Sequence, residues 1–102
     1  MIIDFFADWC LACHELDEKT FSDPEIQKTL TQFTLIRFDA TQDSEILNKL
    51  RAQYSIVGLP SVIFYNSKGE WLKDKTLNEF ETPEKFKERL NQVHSPKATP
   101  TD

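Results

Sequence analysis

Cysteine is scarce in this chain: two residues in 102, Cys10 and Cys13, with no second pair to accompany them. That excludes a disulfide framework of the kind that staples small secreted domains. A bond between these two closes a very short ring, so its loop-closure stabilisation is slight beside the ~3 kcal/mol expected of a 15-residue loop. Long apolar runs are also lacking. None approaches the roughly 20 residues of a membrane helix, and Asp4 breaks the first apolar stretch before it can act as a signal-peptide core. No basic excess exists either. The net charge is −5, with acids and bases interleaved along the helical stretches, which argues against nucleic acid as a partner. Internal repeats and shifts of composition before residue 95 are absent as well. With 39% hydrophobic and 12% aromatic residues, the chain has material for one core, and a single monomeric domain over 1–94 is expected.

What is present begins with the spacing Trp9-Cys10-Leu11-Ala12-Cys13, directly after the apolar run 1–7. Residues 2–7 read as a central strand covered on both faces. A turn then opens a helix at Cys10, where unpaired backbone N–H groups favour a thiolate, the species that attacks disulfides. Cys10 is the expected nucleophile, held open at the helix start, and Cys13 lies one turn further in to resolve the mixed disulfide. Two other readings stay open on the residues alone: a pair of inert core cysteines, and half of a zinc site using His14 or His94. No metal or other cofactor is expected.

Further along, Leu11, Cys13, Leu16 and Thr20 follow helical spacing, with a break near Ser22. Ser22 or Asp23 caps a restart at Pro24, which carries Ile26, Leu30 and Phe33. Residues 34–40 form a second strand, and Asp43-Ser44-Glu45 caps a helix with Ile46, Leu47, Leu50 and Tyr54 on one face. After a loop over 55–60, residues 61–66 and a weaker strand over 71–77 should form a hairpin about the turn 66–70. Thr82-Pro83-Glu84 starts a last helix bearing Phe86, Leu90 and Val93. Residues 95–102 have nothing apolar to fold with and are expected to be disordered. Helical crossovers make the first three strands parallel, and the tight turn makes the last pair antiparallel.

Asp4 is a carboxylate in an otherwise apolar strand, a costly placement unless it serves a purpose. Asp17 lies four residues after Cys13, on the same helical face. Phe5 and Phe6 read as core, His14 as solvent-facing, and Arg37 as lying outside the site.

The stretch Asp4-Phe5-Phe6-Ala7-Asp8-Trp9-Cys10-x-x-Cys13 with the later Gly58-Leu59-Pro60 resembles the thioredoxin superfamily over about residues 2–93. Thr20-Phe21-Ser22-Asp23-Pro24 narrows the resemblance to the C-terminal thioredoxin-like domain of the DsbD thiol:disulfide interchange family, and Leu11-Ala12 departs from the Gly-Pro of cytosolic thioredoxins. The resemblance implies an α/β fold with a mixed central sheet flanked by helices. The strand and helix that such domains usually carry ahead of the cysteine-bearing strand are missing, either because the sequence starts late or because the domain is a minimal variant. It implies a reducing dithiol relay: Cys10 and Cys13 exchange with protein disulfides of partner domains, Asp4 moves the proton of Cys13, and Asp17 tunes Cys13 or Asp4 where the family tends to have Glu. Trp9 and the cis-proline loop at Leu59 and Pro60 would receive the substrate. It also implies a membrane-embedded electron donor and a periplasmic location. A free, cytoplasmic thioredoxin-like reductase is the alternative within this chemistry, and a non-catalytic binding module the alternative outside it.

Overall fold

The computed structural model describes residues 1–94; the expectation for 95–102 lies outside them. Strand β1 (Ile2–Phe6) is followed by a short helix α1 (Leu11–Glu15) that widens into a π-helical turn (Leu16–Thr20), then by α2 (Pro24–Leu30), β2 (Leu35–Asp39), α3 (Glu45–Tyr54), β3 (Ser61–Phe64), a 3₁₀ turn (Lys73–Lys75) and α4 (Pro83–His94). The sheet has three strands in the order β2-β1-β3. Its central strand is the one that leads to the cysteines, as its apolar run demands.

Alternation along β1 sends Ile2 and Asp4 to one face and Ile3 and Phe5 to the other. Ile2 packs with Leu16, Ile26, Val62, Phe64, Leu77, Phe86, Leu90 and Val93, under α2 and α4. Ile3 and Phe5 pack with Ala40, Leu47, Tyr54 and Ile63, under α3. The result is three layers, helix on sheet on helix.

Local signals behave as their chemistry predicts. Asp23 rather than Ser22 caps α2: its Oδ1 accepts from the Glu25 and Ile26 N–H groups at 2.9 and 3.3 Å, with Pro24 in the first turn. Ser44 caps α3 through Leu47 N–H at 3.0 Å. In the turn after β3, Asn66 Oδ1 accepts from the N–H groups of Lys68 and Glu70, and Gly69 takes the positive φ of 79° that an L side chain would resist.

Two expectations are corrected. β3 runs antiparallel to β1, with Phe5 opposite Ser61 and Ile2 opposite Phe64, while β2 alone is parallel to β1. The stretch 55–60 is the cause: it brings the chain back to the Phe5 end of the sheet before β3 begins, so β3 descends. Residues 71–77 do not form a continuous strand. They pair with β3 and the residue after it at two isolated antiparallel bridges, Val62 with Leu77 and Tyr65 with Trp71. Between the bridges Lys73, Asp74 and Lys75 are consecutive charges; a strand would turn alternate ones inward, so the backbone lifts off as the 3₁₀ turn instead.

Candidate functional site

Cys10 is the N-cap of α1, in extended conformation with φ −93° and ψ 104°, and its Sγ accepts the Cys13 N–H at 3.1 Å. One helical turn then brings Cys13 beneath it, and the two sulfurs are bonded, with Cα atoms 5.2 Å apart. Both residues are buried, Cys10 at 5% and Cys13 at 4% exposure, in a small cluster with Ala7 against Phe6, Ala12 and Leu59. The openness expected of Cys10 is therefore corrected: apolar neighbours cover both halves of the bond alike. What separates the two sulfurs is hydrogen bonding, because the Cys10 sulfur holds the backbone N–H at the helix start.

The side chains flanking Cys10 are exposed. Trp9 is 64% and Leu11 74% exposed, on either side of Cys10. Leu59 packs against the cysteine cluster from another loop, and its peptide bond to Pro60 is cis, as the family resemblance implied. The Trp9 indole N–H donates to the Thr41 carbonyl at 3.1 Å. His14 is exposed, with Nε2 2.7 Å from the Asp8 carbonyl oxygen.

A second group is built on β1 itself. Asp4 is buried, and its carboxyl is pushed up to about 6, first by loss of water and further by the nearby Asp17 charge, against the pull of Arg37. Arg37 Nε donates to Asp4 Oδ2 at 3.1 Å, while the same guanidinium reaches both oxygens of Asp17 at 3.1 Å. Asp17 thus meets Asp4 through the arginine. These three residues line a cavity of about 350 Å³ whose walls are otherwise mostly apolar. The Arg37 guanidinium also stands 4.4 Å over the Phe6 ring, and Phe6 packs on the cysteine cluster, so one aromatic side chain joins the two groups.

Arg37 is the residue that sequence reasoning left out. Its signal is pairwise: in the parallel register Arg37 stands opposite Asp4, which shows only once the strands are aligned. Among the described residues no group of three or more His, Cys, Asp or Glu side chains is arranged to hold a metal ion. A buried cysteine pair, a hydrogen-bonded Cys10 sulfur and, linked to them through Phe6, an acid whose carboxyl is raised to about 6 form a set suited to thiol–disulfide exchange.

Comparison with known proteins agrees with this geometry. A family model described as thioredoxin-like matches residues 1–67. The chain belongs to the thioredoxin-like family. Within it, the domain is 37% identical over 97 residues to the thiol:disulfide interchange protein DsbD of Photorhabdus laumondii, an alignment covering 95% of this chain and 16% of that protein. It is 34% identical over 92 residues to DsbD of Pectobacterium atrosepticum, again spanning 16% of the relative. Among solved structures, the C-terminal domain of Neisseria meningitidis DsbD in its reduced form superposes with a TM-score of 0.81 at 28% identity, covering 92% of this chain and 80% of that one. The thioredoxin-like domain described here therefore spans about a sixth of the curated relatives it matches, and the expected resemblance to DsbD C-terminal domains holds. Among its described residues no helix is long and apolar enough to cross a membrane.

Proposed function

We propose that this domain is a thiol:disulfide oxidoreductase working in the reducing direction, and the observation that carries the reading is the Cys10–Cys13 bond at the start of α1, with Cys10 Sγ already accepting a backbone N–H. In the reduced domain that N–H and the helix start favour the Cys10 thiolate. The thiolate attacks one sulfur of a partner disulfide, forming a Cys10–partner bond and releasing a partner thiolate, which takes a proton from water. Cys13 then gives its proton to Asp4, attacks Cys10 Sγ, and expels the second partner sulfur. The partner has gained two electrons and the domain is left with the Cys10–Cys13 bond. Asp4, with its carboxyl near 6, is matched to accept and return a proton at neutral pH. Asp17 acts on it through Arg37. Trp9, Leu59 and Pro60 receive the partner's extended segment beside the sulfurs.

Re-reduction needs a dithiol donor. The similarity to DsbD supports a membrane-embedded donor domain of the same larger protein, a periplasmic location, and protein disulfides as acceptors. The test is reduction of insulin disulfides by the domain with dithiothreitol as the electron source. Cys10→Ser should abolish turnover, whereas Cys13→Ser, reduced beforehand and freed of dithiothreitol, should accumulate a mixed disulfide with insulin, visible on a non-reducing gel. Full insulin reductase activity in Cys10→Ser sinks the reading. Equilibration with glutathione checks the direction: a reductant lies nearer about −270 mV than about −120 mV.

A further inference from the structure

The turn that presents Trp9 and Cys10 is tied to a residue more than thirty positions away. The Asp8 N–H donates to Thr41 Oγ1 at 3.0 Å, and the Trp9 indole N–H donates to the Thr41 carbonyl at 3.1 Å, contacts spanning 33 and 32 positions. Thr41 is itself fixed from behind. Its backbone N–H donates to Asp39 Oδ1 at 3.0 Å, and its hydroxyl donates to the same oxygen. These two hydrogen bonds hold the Asp39 carboxyl below the usual carboxylate range, so it is an ionised acceptor at neutral pH. The Thr41 hydroxyl is thereby used in both senses, giving its proton to Asp39 and receiving the Asp8 N–H. Valine has the same shape and can do neither. Serine can do both.

The indole so tied is largely exposed. An exposed aromatic on a turn samples several rotamers unless something selects one, and here a hydrogen bond does so next to Cys10. The sulfurs themselves owe nothing to Thr41: Cys10 Sγ is served by the Cys13 N–H.

We infer that Thr41, backed by Asp39, is a positioning residue that holds Asp8 and Trp9 in the conformation a protein disulfide docks against, and so acts on protein substrates more than on small ones. The kinetic half of this inference rests on the exchange reading above; the structural half does not.

The test uses the full chain with Trp71→Phe, which leaves Trp9 as the only tryptophan, and adds Thr41→Val, Thr41→Ser or Asp39→Ala. Thr41→Val keeps the carbonyl that takes the Trp9 indole N–H but loses the hydroxyl bonds to Asp8 and Asp39 that fix this carbonyl in place; it should lower the fluorescence anisotropy of Trp9 and cut kcat/KM for insulin on the order of fivefold or more, chiefly through KM. The deficit should be larger with insulin than with oxidised glutathione. Thr41→Ser should restore both readouts, and Asp39→Ala should reproduce the valine effect with Thr41 in place, which serves if Thr41→Val fails to fold. Native anisotropy in Thr41→Val and Asp39→Ala, a serine variant as impaired as the valine one, or equal losses on insulin and glutathione would each overturn the inference. A parent protein that reduces neither substrate defeats the exchange reading, and the anisotropy series then decides the brace by itself.

Discussion

Asp4 and Arg37 face each other across the parallel β1–β2 ladder, with Arg37 Nε 3.1 Å from Asp4 Oδ2, yet the carboxyl is raised rather than lowered. Burial wins because the arginine side chain is 42% exposed: water screens its charge, and a second carboxylate shares it, while Asp4 has lost nearly all its water. The consequence is a stability that depends on pH with a defined sign. The unfolded carboxyl titrates near 3.8 and the folded one near 6, so between those values the native state holds the proton that the unfolded state has released. Stability from this group is complete below 3.8 and is lost as pH rises to about 6, a total of about 3 kcal/mol. Asp4→Asn cannot ionise. Its stability relative to the parent should therefore increase by about that amount between pH 3 and pH 8, read from urea unfolding at both ends. A difference that stays constant across the range would refute the assignment.

The two neighbours of Asp4 should move its titration in opposite directions. Arg37→Gln removes the charge and the hydrogen bond that favour ionisation, so the Asp4 carboxyl should titrate above about 6. Asp17→Asn removes a like charge and also frees Arg37 to serve Asp4 alone, so titration should fall below that value. The carboxyl ¹³C resonance of Asp4, followed against pH in each variant, reports this without reference to turnover. Shifts of the same sign in both variants would show that the arginine does not mediate between the acids.

Much of this arrangement is legible in the sequence, wherever the determinant is local. Cys10 as a helix-opening residue, Asp23-Pro24 as a restart, Ser44 as a cap and Asn66 to Glu70 as a turn are each decided by a few adjacent residues, and each is found. The cis Leu59–Pro60 bond followed from resemblance, since the residues alone favour trans. What escaped depends on pairs distant in the chain. Arg37 becomes part of the site through its register with Asp4; Thr41 matters through contacts with Asp8 and Trp9; the cover over Cys10 comes partly from Leu59. The direction of β3 escaped for the same reason. The α3 helix looks like any crossover, and the reversal lies in the path of 55–60, which no periodicity records.

Phe86 offers a way to couple the core to the acid. It is 1% exposed and packs edge-on against Phe21, with centroids 5.2 Å apart, and tilted against Phe64 at 6.2 Å. Phe86→Ala should cost about 3 kcal/mol, the lower end of the range for such truncations, because the space it vacates adjoins the cavity that Phe86 already lines and can be filled by water. Asp4 lines the same cavity. Water admitted there restores part of the solvation that burial removed, so the Asp4 carboxyl should titrate below about 6 in Phe86→Ala. Leu90 is as deeply buried in the same core but does not line the cavity; Leu90→Ala should lose a comparable 2–5 kcal/mol and leave the titration of Asp4 where it was. Urea unfolding and the Asp4 ¹³C titration on both variants separate the two effects, and an equal shift of the Asp4 titration in both would show that general loosening of the core, rather than hydration of this cavity, governs the acid.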